Sequence, residues 1–202
     1  MTKKIAVIND LSGFGRCSLT AAISVLSAMG VQACPLPTAI LTAQTGYPSY
    51  YCDDYTDKME YFRSEWEKMG QRFDGIYTGF VAGEMQIRQI FRFLDTFRSP
   101  STFLLVDPVM GDDGAPYPFY TSSLLEQMGR LAIQADILTP NLTELCLLTG
   151  RDYWSLVSEA SPAKLMASIQ EIGQTFCQKG PKHVIVTGIR FLDTDGTKKM
   201  GN

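Results

Sequence analysis

Short apolar runs alternate along the chain with longer stretches whose apolar residues recur every three or four positions. Lys4-Ile5-Ala6-Val7-Ile8 reads as a first buried strand. Leu19, Ala22, Ile23, Leu26 and Met29 follow at helical spacing, with Ser18 placed to cap the helix and Gly30 to end it. Residues 31–36 form a second extended segment, cut by Pro35 and Pro37. Met59, Phe62, Trp66 and Met69 mark a helix closed by Gly70, residues 73–80 read as strand, and Ile87, Ile90, Phe91, Leu94 and Phe97 mark the next helix face. Then come an apolar strand at Thr102-Phe103-Leu104-Leu105-Val106, a helix near 122–131 and a short strand at Asp136-Ile137-Leu138. Ser161-Pro162 opens a helix with Leu165, Ile169, Ile172 and Phe176 inward, and 183–187 is a further strand.

These stripes read as core, not as binding surface. Their order, strand and helix in alternation, predicts an α/β fold: a three-layer α/β/α sandwich with a mostly parallel central sheet. At 202 residues the expectation is a single domain over 1–202, large enough to bury roughly 70% of its unfolded surface. Residues 45–56 break the pattern: Tyr47, Tyr50, Tyr51 and Tyr55 are mixed with Gly46, Pro48, Asp53 and Asp54. This stretch is either a lid or a half-buried crossover.

Composition narrows the function. A net charge of −3 gives no reason to expect nucleic acid or a membrane surface as partner. No apolar run reaches the roughly 18 residues of a membrane span, and Met-Thr-Lys-Lys leads straight into a strand, so a cytoplasmic protein without a secretory signal is expected. Five cysteines, with no C-x-x-C, read as reduced thiols. One histidine, His183, excludes multi-histidine zinc sites, and no G-x-S-x-G elbow accompanies it. His183 reads as the start of a strand.

The chemistry gathers at strand ends. Asp107-Pro108-Val109-Met110-Gly111-Asp112-Asp113-Gly114 follows the strand before it. A carboxylate there is costly to bury, and the carboxyl edge of a parallel sheet is where open α/β folds bind ligands. Acids and glycines in such a turn suit phosphate and a divalent cation. A second polar end is Thr139-Pro140-Asn141-Leu142-Thr143-Glu144, and two such ends point to one shared cleft. The turn Asn9-Asp10-Leu11-Ser12-Gly13-Phe14-Gly15 puts Asp10 and Ser12 at a third strand end. Gly13-Phe14-Gly15-Arg16-Cys17-Ser18 has serine where a dinucleotide fingerprint has its third glycine, and no P-loop is present.

Six blocks in this order resemble the ribokinase-like superfamily, and within it the vitamin B6 (pyridoxal/pyridoxine/pyridoxamine) kinases. They are Asp10-x-Ser12-Gly13-x-Gly15; Thr38 with Leu41-Thr42-Ala43-Gln44-Thr45-Gly46-Tyr47; Thr78-Gly79-Phe80; Asp107-Pro108-Val109-Met110-Gly111-Asp112; Thr139-Pro140-Asn141-x-x-Glu144; and Val184-Ile185-Val186-Thr187-Gly188. The resemblance implies ATP-dependent phosphorylation of the 5′-hydroxymethyl group of a B6 vitamer, and a homodimer. It implies that Asp10, Ser12, Gln44, Thr45, Tyr47 and Phe80 meet the ring, and that Asp107, Thr139, Asn141, Glu144 and Thr187 face ATP. Asp112 and Glu144 would act on Mg2+, with a monovalent cation such as K+ as a second candidate.

Two departures from the family pattern matter. B6 kinases commonly carry serine where this chain has Asp10, and Asp10-x-Ser12-Gly13 with Thr42-Ala43-Gln44 is closer to the hydroxymethylpyrimidine kinases of thiamine synthesis. An anionic Asp10 suits a ring NH or amino group, as in pyridoxamine or an aminopyrimidine. The family's catalytic G-x-G-D block also finds no match, so no catalytic base is assigned. Asp193-Thr194-Asp195-Gly196-Thr197 reads instead as a hairpin turn, with Lys198-Lys199-Met200 starting the return strand. The expectation is a fragment of a longer kinase, with a non-catalytic B6-binding remnant as the alternative.

Overall fold

Residues 5–8 are deeply buried: Ala6, Val7 and Ile8 are sealed from solvent and Ile5 nearly so. A strand buried on both faces has apolar residues at every position instead of alternating. The structure, a computed structural model, describes residues 2–158, 161–192 and 197–202. They divide into two compact units, one ending at Asp107 and one beginning at Pro108.

In the first unit, β1 (Lys4–Phe14) pairs in parallel with β2 (Gln32–Ala43) and β4 (Gly75–Thr78), and β4 pairs in parallel with β5 (Phe103–Val106). A three-residue edge strand, β3 (Cys52–Asp54), pairs antiparallel with β2. Helix α1 (Ser18–Ala28) packs on β1 and β2, where Leu19 joins Ile5 and Val7 in a core edged by Ala22, Ile23, Leu26 and Tyr77. Helices α2 (Thr56–Lys68) and α3 (Glu84–Phe97) pack on each other. Their aromatic seam runs Phe62, Trp66, Phe93 and Phe97, with Phe73 within 5.2 Å of Phe97 and 5.4 Å of Trp66 between ring centroids.

The second unit holds a small hairpin, β6 (Gly111–Asp112) and β7 (Ala115–Pro116), and a parallel pair, β8 (Ile137–Leu138) and β9 (His183–Val184). Its helices are α4 (Ser122–Ala132), α5 (Leu142–Thr149), α6 (Tyr153–Val157) and α7 (Pro162–Cys177), and an antiparallel pair, β10 (Ile189–Leu192) and β11 (Lys198–Gly201), ends the chain. Leu142, Leu145, Leu156, Leu165, Ile169, Ile172, Val186 and Ile189 form its core.

The expected alternation of strands and helices is present, and both units have α/β architecture. Several boundaries differ from expectation for physical reasons. β1 continues through the segment read as a turn, as far as Phe14, with a register irregularity between Asn9 and Leu11. β2 is not cut by its prolines. Gln32 donates its N–H to Lys3, so the even positions nearby point their N–H groups at β1. Pro35 and Pro37 face the other way, where β3 pairs only with residues 39–41, and their missing donors cost nothing. Ser18 does not cap α1: Cys17 holds the extended N-cap position, with no side-chain cap, and Ser18 is the first helical residue at φ 49.

The strand expected over 183–187 shortens to two residues, and Thr187 makes an isolated parallel bridge to Asn141. The tyrosine segment is not half-buried, since Tyr47, Tyr50 and Tyr51 are all exposed. Of the turn expected over 193–197, residues 193–196 lie outside the described residues; β10 and β11 on either side pair antiparallel.

Candidate functional site

In the first unit the polar residues collect at the carboxyl ends of β1, β4 and β5. Asp10 and Ser12 are both nearly sealed from solvent. Two residues apart on one strand, they share a face, and the Ser12 hydroxyl donates to Asp10 Oδ2 at 3.0 Å. No ion pair reaches Asp10 among the described residues. Asp107 follows β5, with β4 between it and β1. Burial pushes the Asp107 carboxyl up to about 6. Burial first, and then the Asp107 and Asp10 carboxylates, push the Tyr77 phenol up to about 12.

Asn9, which sequence reasoning did not single out, organises this end. Its Oδ1 accepts from the N–H of Asp10 at 3.0 Å and of Phe80 at 2.8 Å. Gly79 leaves the room for this, because a Cβ there would stand 2.3 Å from the Asn9 amide. Phe80 is held a second time through its carbonyl, which accepts from the Thr38 hydroxyl at 2.8 Å. Gln44 bends back on its own loop: its Oε1 accepts from Gly46 N–H at 3.0 Å, and its side chain fills the space a Cβ on Gly15 would need. Thr45 and Tyr47 are exposed in the loop beyond it. The structure thus joins Asp10 to Ser12 and anchors Phe80, while Gln44 shapes the loop that carries Thr45 and Tyr47.

The second unit gathers the other candidates around the start of α5. Asn141 is the N-cap, its side chain accepting from Glu144 N–H at 2.9 Å, and Glu144 Oε2 accepts in return from Asn141 N–H at 2.7 Å. This is a capping box. The other oxygen, Glu144 Oε1, accepts from Met110 N–H at 3.1 Å, so the buried carboxylate is held from two segments. The β6–β7 hairpin is pinned to the same helix start. Asn141 Nδ2 donates to the Gly111 carbonyl at 2.9 Å, and Gly114 N–H donates to the Thr143 hydroxyl at 2.9 Å. Thr187 joins through its bridge to Asn141 and donates its N–H to the Pro140 carbonyl at 2.8 Å. Thr139 stands two residues before the cap, half-buried.

Asp112 is exposed on the hairpin, and one of its oxygens accepts from Asp113 N–H. Among the described residues no cluster of three or more acids, cysteines or histidines could hold a metal alone. Asp112 is exposed and free to meet a hydrated cation, whereas both Glu144 oxygens already accept backbone N–H groups; a carboxylate held that way would act on Mg2+ through water, a mode this ion favours. Tyr120 adds a second sign. Its hydroxyl is buried without a partner, and burial and then the Glu144 carboxylate raise its phenol well above the usual range. A ligand or water that accepts a hydrogen bond would satisfy it.

The capping box and the Asp113-Gly114 turn were both readable as local signals, the first as a polar cap three residues before an acid, the second as a D-G hairpin turn. Thr143 carries no such signal, because its role comes from a contact with the hairpin, and neither does Tyr120, because its burial is set by packing. The cysteines are free thiols. Desolvation, followed by the Asp54, Asp10 and Asp53 carboxylates, raises the Cys52 thiol, which makes it a poor nucleophile at neutral pH. No described helix is long and apolar enough to cross a membrane.

A solved structure of a Bacteroides thetaiotaomicron protein, a candidate phosphomethylpyrimidine kinase in a crystal form with pyridoxal, aligns with 96% of this chain at 40% identity and a TM-score of 0.86. The pyridoxal kinase structure of Lactobacillus plantarum covers the whole chain at 26% identity and a TM-score of 0.80. The pyridoxine/pyridoxal/pyridoxamine kinase of Bordetella avium is 31% identical over 68% of the chain. The chain spans 65% of the Bacteroides protein, 72% of the Lactobacillus protein and 48% of the Bordetella enzyme. The sequence profile of the phosphomethylpyrimidine kinase family matches residues 14–200. The chain therefore belongs to the phosphomethylpyrimidine kinase family, within the ribokinase-like superfamily that its six blocks resemble.

Proposed function

We propose that this protein acts as a vitamin B6 kinase, moving the terminal phosphoryl group of ATP to the 5′-hydroxymethyl group of pyridoxal, pyridoxine or pyridoxamine. The observation that carries the reading is the 40% identity, over 96% of the chain, to the Bacteroides structure solved with pyridoxal. The site is consistent with it: Asp10 and Ser12 form a buried polar pair for a ring, and the Asn141–Glu144 cap closes a polar corner with Asp112 and Thr187.

In this reading Asp10 and Ser12 take the polar edge of the ring, with Thr45, Tyr47 and Phe80 beside it and Gln44 setting the loop. Asp107, Thr139, Asn141 and Thr187 orient ATP. Asp112 and Glu144 would hold Mg2+, which when bound neutralises phosphate charge. Phosphoryl transfer of this kind is mostly positioning and electrostatics. The cap suits that work, because the α5 start directs its own N–H groups into Asn141 and Glu144 and so holds both side chains fixed. The base that takes the hydroxyl proton is assigned to none of these residues. A homodimer, a cytoplasmic setting and a monovalent cation belong to the same reading and rest on family resemblance alone.

Asp10 favours one competing reading. A buried carboxylate without an ion pair suits an exocyclic ring amine, as in hydroxymethylpyrimidine. Equilibrium binding of pyridoxal, pyridoxamine and hydroxymethylpyrimidine, together with ATP turnover in Mg2+, tests both. Tighter binding of a B6 vitamer upholds the first reading, tighter binding of the pyrimidine replaces it with the second, and no ring binding overturns both.

A further inference from the structure

Gln86 is wholly buried in the first turn of α3, and its amide joins three separate segments. Its Oε1 accepts from Ala82 N–H at 2.8 Å, in the loop that carries Phe80. Its Nε2 lies 2.7 Å from the Thr38 carbonyl of β2, 2.9 Å from the Thr56 hydroxyl and 3.1 Å from Asp54 Oδ1. Asp54 and Thr56 close the tyrosine segment at its far end, where Asp54 Oδ1 also accepts from Thr56 N–H at 2.8 Å. Thr38 in turn donates its hydroxyl to the Phe80 carbonyl at 2.8 Å. One side chain thus links the loop holding Phe80, the strand leading to Gln44 and the end of the loop holding Tyr47.

We propose that Gln86 is a positioning residue for the ring substrate: it sets the tyrosine segment against the Phe80 loop, so that the residues assigned to the ring are held in place before the ring arrives. The inference rests on the ring-binding reading above. A core needs only an apolar side chain of this volume. The amide here instead has its carbonyl and its NH2 each matched to groups from different segments, and a buried amide is kept only where it is satisfied. Tyr47, Tyr50 and Tyr51 are exposed in that segment, which is tied at Gln44 by Phe14 and Gly46, at Tyr51 by Thr42, along β3 by β2, and at Asp54 and Thr56 by Gln86. Prior ordering of a binding loop raises affinity by lowering the ordering cost at binding.

The test uses the full chain and pyridoxal as probe, with affinity read from ring fluorescence and loop order from chymotrypsin cleavage at residues 47–55. Gln86→Met keeps the volume and removes both halves of the amide. Asp54→Ala cuts the same link from the exposed side and leaves the core untouched. Both variants are expected to bind pyridoxal about 10-fold more weakly and to be cleaved several-fold faster. Gln86→Glu sets two carboxylates together and is expected to weaken binding likewise. Unchanged pyridoxal affinity in Gln86→Met and Asp54→Ala, whatever their melting temperatures, overturns the proposal. Absence of binding by the unaltered chain would instead overturn the ring-binding reading.

Discussion

The Ser12 hydroxyl donates to Asp10 Oδ2 at 3.0 Å, with both residues nearly sealed from solvent and no cation paired to the carboxylate among the described residues. A charge kept in such a place is costly unless a further donor arrives. Asp10→Asn keeps the shape and removes the charge. It is expected to weaken pyridoxamine binding by roughly 10- to 100-fold, the worth of a hydrogen bond to a charged group, and to weaken pyridoxal less. The variant is also expected to be the more stable protein when no ligand is present. Titration calorimetry with both vitamers checks this, and equal losses for the two would show that Asp10 does not read the amine.

Glu144 serves the fold before it serves any ligand. Both of its oxygens accept backbone N–H groups, one from Asn141 and one from Met110. Glu144→Gln turns one acceptor into a donor facing an N–H, so a cost of about 2 kcal/mol is expected from the lost cap and the unsatisfied pair. Urea unfolding in EDTA measures it. A residue acting on the metal alone would leave stability in EDTA unchanged.

Much of the fold was legible because burial and periodicity agree. The stripe Ile87, Ile90, Leu94 and Phe97 is the buried face of α3, and Phe93 joins it where Phe91 was expected. The strand ends at Asp107 and Thr139 were legible for the same reason, since each follows an apolar run, whereas the end expected at Asp10 lies inside β1, which runs on to Phe14. What was not legible depends on partners remote in sequence. The prolines of β2 are tolerated because a neighbouring strand is too short to need their donors. Asn9 and Gln86 act on residues 71 and 48 positions away, and no local pattern reports that. α5 was missed because the Asn141-x-x-Glu144 block was read for its chemistry, although the same two side chains build the cap that starts the helix.

Gly114 makes a sharper test of the β6–β7 hairpin. It sits at φ 84, in the left-handed region, and a Cβ there would lie 2.6 Å from the Tyr153 ring. Asp113 before it, at φ 49, shows that the turn needs two left-handed residues, as a type I′ turn does. Gly114→Ala is expected to cost roughly 1–3 kcal/mol from strain and the ring contact together. The loss should also loosen the Gly114–Thr143 bond and speed hydrogen exchange at residues 111–116. An exchange pattern unchanged despite lower stability would place the damage elsewhere.

Asp107 supplies a prediction in pH. Burial raises its carboxyl to about 6, above the ordinary value near 3.9. Below pH 4 the group is protonated folded and unfolded alike, and it costs nothing. As pH climbs from 4 to 6 the unfolded chain gives up the proton first, so the folded state binds more protons and stability falls with rising pH. A gap of that size corresponds to about 3 kcal/mol, and because Asp107 is only half-buried the effect is on the order of 2 kcal/mol. Asp107→Asn is therefore expected to be more stable than the parent by about that amount at pH 7.5, with the advantage shrinking toward zero at pH 4. Urea unfolding of both chains across that range checks the sign. A difference independent of pH would mean that Asp107 is not desolvated.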